Sequence, residues 1–167
     1  MKKALVVLTI LLSLFAGVAI ASANSGSAII PHYQAYVNEQ FRYYTWVYLS
    51  NITDQDINVE VILYKRDGTI LFDTDNNISG YYLSNYNENL PNATLSFTLG
   101  PNSFGKFGIS SYDHHDIATT AGYGIIKWEQ DSKAVHGLVA QAIGFLVLKS
   151  NPVHPQLSIP INNGLPF

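Results

Sequence analysis

The sequence predicts an all-β protein: a single antiparallel β-sandwich that follows a cleaved signal peptide. Three observations predict it. Apolar residues recur with a period of two, as in Ala93, Leu95, Phe97 and Leu99 against Thr94, Ser96 and Thr98. Short runs of this kind are separated by Asn-, Asp-, Gly- and Pro-rich turns, and no segment beyond residue 23 carries a helical period. With 167 residues, no internal repeat and no dividing linker, the chain is expected to form one domain.

The first element is the export signal. Lys2 and Lys3 form a positive head, Ala4 to Ile20 is an uncharged apolar run, and Ala21-Ser22-Ala23 fits a small-x-small cleavage site. Cleavage between Ala23 and Asn24 would leave a domain of residues 24–167, secreted or held at the cell surface. The apolar run is at the short limit for spanning a bilayer and lacks a basic stop-transfer cluster, so a membrane anchor is disfavoured. Strands are then expected at Ala28–Tyr36, Phe41–Leu49, Ile57–Leu63, Thr69–Phe72, Ala93–Leu99, Gly105–Ser110, Tyr123–Glu129, Gly137–Leu148 and Leu157–Ile161. Ser50 to Asp54, Asp67-Gly68 and Gly100 to Ser103 read as turns, because Asn, Asp and Ser side chains bond nearby backbone and Gly tolerates positive φ. Asp73–Ser79 and Ser84–Asn92 read as Asn-rich loops. From about residue 150 the chain turns Pro-rich, with Pro152, Pro155, Pro160 and Pro166, which marks an edge strand or wrapping tail.

Composition excludes several classes. Lys+Arg 9 against Asp+Glu 12 supplies no phosphate-neutralising surface, so nucleic acid is not an expected partner. The absence of cysteine removes disulfides, thiolate metal sites, thiol nucleophiles and lipidated cysteine. The high apolar content argues against disorder.

The turn at Asn51-Ile52-Thr53, the alternating valines of Ile57 to Tyr64 closing on Asp67-Gly68, and Leu95 to Leu99 closing on Pro101-Asn102-Ser103 resemble the immunoglobulin-like and fibronectin-like β-sandwich modules of bacterial secreted proteins. The resemblance covers about a third of the chain, implies an immunoglobulin-like or jelly-roll-like sandwich, and carries over no active site. The ending Ile159-Pro160-Ile161-Asn162-Asn163-Gly164 is similar to that of small exported bacterial proteins to which no activity attaches.

Asp113-His114-His115-Asp116 combines imidazole and carboxylate, the donors of transition-metal sites. Only a loop can turn all four inward, with His32, His136 or His154 to complete the set, and the competing reading is a solvated polar loop. Asp73, Asp75 and Asn77 alternate as calcium ligands do, although Ile78 stands where an EF-hand needs glycine. No cofactor is otherwise implied. Trp46, Tyr81, Tyr82 and Tyr86 are the candidate ligand-binding rings, since exposed aromatic faces stack on sugars. No nucleophile elbow, phosphate loop or specified carboxylate pair occurs, so no catalytic residue is assigned. Sequons fall at Asn51, Asn77 and Asn92. The expected function is therefore non-enzymatic: a structural, adhesive or assembly role at the cell surface, through self-association or contact with surface polysaccharide. A carbohydrate-binding module is the alternative, and a metal-binding or hydrolytic enzyme a remote one.

Overall fold

Period-two patterning becomes ten β-strands in the computed structural model, which describes residues 24–72, 78–110, 119–131, 136–150 and 156–167. In chain order they are β1 (Asn24–Val37), β2 (Phe41–Asn51), β3 (Ile57–Lys65), β4 (Ile78–Tyr81), β5 (Ser84–Leu90), β6 (Ala93–Leu99), β7 (Phe104–Ile109), β8 (Thr119–Gln130), β9 (Leu138–Leu148) and β10 (Gln156–Pro160). Every pairing is antiparallel, and together they make one sheet curled nearly into a barrel. Among the described residues the helical content is one 3-10 turn, Asn162–Gly164, and no helix is long and apolar enough to cross a membrane.

The pairing falls into two runs, β5-β6-β3-β8-β1 and β10-β9-β2-β7-β4. They join where Tyr36 pairs with Tyr43 and Val37 with Arg42. Beyond that point the edge of β2 passes from β1 to β7, beginning with Thr45 opposite Ile109. The buried Thr45 hydroxyl fills the gap: it accepts from the Gln34 N–H at 3.0 Å and donates to the Gln34 carbonyl at 2.9 Å. The parting strands thus leave no buried backbone group of Gln34 unpaired.

The core lies inside this curl. Ile30, Val47, Leu49, Ile57, Val61, Leu95, Phe107 and Ile126 are all buried within a single cluster. On β1 the core-facing parity changes from even (Ala28, Ile30) to odd (Tyr33, Ala35), across a register shift between Ile30 and Tyr33. Pro31 explains the shift, because it has no N–H for the ladder and is accommodated at a bulge. Tyr33 is carried fully inside, where its hydroxyl donates to the Tyr64 carbonyl at 3.1 Å. Burial holds that phenol far above its usual pKa, so it stays a donor.

The three expected turns are present and chemically explicit. Asp67 Oδ1 accepts from the Thr69 N–H and hydroxyl while Gly68 takes φ 83°. Ser103 donates to the Gly100 carbonyl at 2.6 Å, with Asn102 at φ 47°. Asn51 is the hub of the third. Its Nδ2 donates to the carbonyls of Gln55 and Gly100, both at 2.7 Å, and of Leu99 at 3.2 Å. Its Oδ1 accepts from the backbone N–H and hydroxyl of Thr53. Asn51 is 2% exposed, so its sequon is structural and closed to a glycan in the folded protein.

Two local expectations are corrected. Thr69–Phe72 is not a strand; only Ile70 bridges to Tyr64, because the Asp67-Gly68 turn returns the chain for a single pair. Ser84–Asn92 is not a loop. Residues 84–90 form β5, paired with β6, and Ile78-Ser79 opens β4. β5 lacks an alternating apolar pattern because it lies at the end of its run, and Asn85 and Asn89 bend it through left-handed φ of 51° and 57°. Of the Pro-rich end, Gln156–Pro160 forms β10, which pairs β9 from Gln156–Phe145 to Pro160–Gln141.

Candidate functional site

The outward faces of the two runs differ in kind. On the β1-β8-β3-β6 side, Ser27, Asn58, Glu60, Ser96 and Lys127 line an open polar surface, with Lys127 bonded to Glu60 at 3.2 Å. Such polarity is the norm for the solvated side of an antiparallel sheet. The β9-β2-β7-β4 side is aromatic. On β2 the odd residues Thr45, Val47 and Leu49 are buried, so Tyr44, Trp46 and Tyr48 all point outward. Register places Phe145 opposite Tyr44, Lys106 opposite Tyr48 and Tyr81 opposite Lys106.

The rings meet in three groups. Tyr44 stacks on Phe145 at 5.1 Å, Trp46 meets Tyr81 at 5.2 Å, and Phe104 stands 6.1 Å from both Tyr48 and Tyr82. Trp46 lies against Gly108 of β7, its directly paired residue; a Cβ there would come within 2.7 Å of the indole. A side chain at 108 would therefore lift the ring off the sheet. A groove of about 400 Å³ opens on this surface, lined among others by Arg42, Tyr44, Trp46, Ser79, Tyr81 and Lys149. At its side the Lys106 ammonium sits 4.4 Å from the Trp46 ring centre, 5.2 Å from Tyr81 and 5.8 Å from Tyr48.

Of the four candidate rings, the structure brings Trp46 and Tyr81 together and sets Tyr82 at the rim, 77% exposed and at φ 60°. Tyr86 stands apart from them: its ring, partly buried, packs over Gly80 and against the core. Phe104, Lys106, Gly108, Phe145, Arg42 and Lys149 were missed as site members. The parity of β2 signals which of its own rings face out, but their neighbours depend on strands about 60 and 100 positions further along the chain.

Asp113, His114, His115, Asp116, Asp73, Asp75 and Asn77 lie outside the described residues, as do Ala23 and His154. His32 and His136 are exposed. Asp54, Asp56, Glu129 and Asp131 share a second cavity of about 460 Å³. Among the described residues, however, no three His, Asp or Glu side chains are grouped so as to hold a metal ion.

No protein-family profile matches the chain, and no curated protein matches it in sequence. Among solved structures, a family 123 glycoside hydrolase from Clostridium perfringens aligns with 81% of this chain and 26% of its own, at 12% identity and a TM-score of 0.19. At that score the likeness bears on neither fold nor function. The chain thus spans about a quarter of the length of that enzyme.

Proposed function

We propose that this is an exported, non-enzymatic β-sandwich protein that binds polysaccharide through its aromatic face, in an adhesive role at the cell surface. One observation carries the reading: a gathering of aromatic rings, Tyr44, Trp46, Tyr48, Tyr81, Phe104 and Phe145, on the outward side of β2 and its neighbouring strands. Flat rings in strand register offer apolar stacking to successive sugar rings, and the groove beside Trp46 supplies hydroxyl and cationic donors. The strand order supports the jelly-roll form of sandwich over the immunoglobulin-like one. β1, β2, β3 and β4 fall alternately on the two runs, giving β1-β8-β3-β6 and β2-β7-β4, whereas an immunoglobulin-like order would keep its first two strands paired in one sheet. Self-assembly by exchange of terminal strands is the weaker reading, since β1 pairs β8 and β10 pairs β9 within the chain.

Trp46→Ala and Tyr81→Ala should each weaken retention on an insoluble polysaccharide by about tenfold. Tyr123→Ala, at the opposite outward face where Tyr123 stacks on Tyr64, should leave it unchanged. Affinity electrophoresis through polysaccharide-containing gels measures both. Equal effects at Tyr123 and Trp46, or no retardation of the wild type on any polysaccharide, would reject the reading.

Export rests on Lys2, Lys3, the apolar run and Ala21-Ser22-Ala23, with Asn24 opening β1. The secreted polypeptide should begin at Asn24. N-terminal sequencing that finds Met1 on the extracellular form would overturn this.

A further inference from the structure

We infer that the aromatic face selects acidic polysaccharides, and that Lys106 is the residue that imposes the choice. This rests on the polysaccharide reading above and goes beyond it to the class of sugar. The starting observation is a contrast in charge. Beyond Lys3 the chain has seven Lys and Arg against twelve Asp and Glu, yet two of those seven, Arg42 and Lys149, line this one groove, and a third, Lys106, lies over the Trp46 and Tyr81 rings that help to form it. No Asp or Glu is among the described residues that line it. A carboxylated or sulfated sugar is the ligand whose charge such a groove complements.

Lys106 adds a mechanism. Its ammonium occupies the space bounded by Trp46, Tyr81 and Tyr48, held by the negative faces of the three rings. Those are the faces on which a sugar would stack. A neutral sugar must push the ammonium off the indole and offers only hydroxyls in return, forfeiting roughly a five- to tenfold share of affinity. An acidic sugar gives the displaced ammonium a carboxylate or sulfate partner as it leaves the ring, so the same displacement is offset. Lys106 thus works against neutral ligands as much as for acidic ones. Gly108 keeps the arrangement in place: without a side chain of its own, it lets Trp46 lie against the sheet within reach of a lysine two residues earlier on the same strand.

The test compares polygalacturonate with its fully methyl-esterified form, which has the same backbone without the charge, at fixed ionic strength by isothermal titration. The wild type should prefer the acidic polymer by about tenfold or more. Lys106→Met, which retains an aliphatic side chain over the rings, should bind the acidic polymer more weakly and the neutral one more tightly, bringing the ratio towards one. Lys65→Met, an exposed lysine elsewhere, should leave the ratio unchanged, and thermal melting confirms that both variants are folded. Equal binding of the two polymers by the wild type, or an unaltered ratio in Lys106→Met, overturns the selectivity while leaving polysaccharide binding standing. Binding of neither polymer overturns the inference, and polysaccharide binding itself falls only if affinity electrophoresis also shows no retardation on any polysaccharide. Tighter binding to phosphatidylserine vesicles than to polygalacturonate also overturns the inference, because the anionic partner would then be a membrane.

Discussion

Deleting Gln156–Phe167 should destabilise the protein by about 3–6 kcal/mol, the contribution of two fully buried large side chains. Ile161 is fully buried and Phe167 is 7% exposed, and both belong to the core cluster. The Phe167 backbone clamps the start of β9: its N–H donates to the Leu138 carbonyl at 2.9 Å, and its carbonyl accepts from Gly137 and Leu138. Removal also strips β10 from β9 and leaves an apolar strand edge open from Gln141 to Phe145. A loss of this size is a large part of the 5–15 kcal/mol typical of a domain, so the truncated protein should melt far lower or aggregate. Urea titration and sedimentation velocity decide the matter. A truncated chain that stays folded while a wild-type oligomer disappears would show that the tail's role is between molecules, and one unchanged in both measurements would show that it contributes nothing to the fold.

Phe97→Ala should cost about 3–5 kcal/mol, through lost burial and the cavity left behind. Phe97 is 2% exposed, and its ring centre stands 6.3 Å from that of Phe107, so it ties β6, in one run of the sheet, to β7, in the other. Ser96→Ala, on the opposite side of the same strand between Glu60 and Asn87, should change stability by less than about 0.5 kcal/mol. Equal losses at the two positions in chemical denaturation would mean that the assigned inward face of β6 is wrong.

Much of the fold was legible because its determinants are local. The alternation of Ile57 to Val61 and of Leu95 to Leu99 does mark inward and outward sides, and Asn51, Asp67-Gly68 and Asn102 do close turns with their own side chains or dihedrals. Where prediction failed, a distant partner overrode local pattern. β5 is mostly polar and forms because β6 lies beside it after the turn at Pro91-Asn92. Tyr86 packs over Gly80 of β4, a contact that its own neighbours in sequence do not signal.

The sequence by itself determined the all-β class, the turns at Asn51, Asp67-Gly68 and Asn102, and which of the β2 rings share a side. Each of these follows from a two-residue period or from the backbone freedom of Gly and Asn, properties that neighbouring residues carry without reference to the rest of the chain. Only the tertiary structure decided that rings from β2, β4, β7 and β9 gather on the outward side of β2 with a lysine among them. Trp46 meets Gly108, Tyr81 and Lys106 through two strand pairings, β2 with β7 and β7 with β4, and Tyr44 meets Phe145 through a third. Register between strands far apart in sequence is set by the joint packing of both inward faces, here including the Pro31 bulge and the Thr45 corner, and no single strand encodes it.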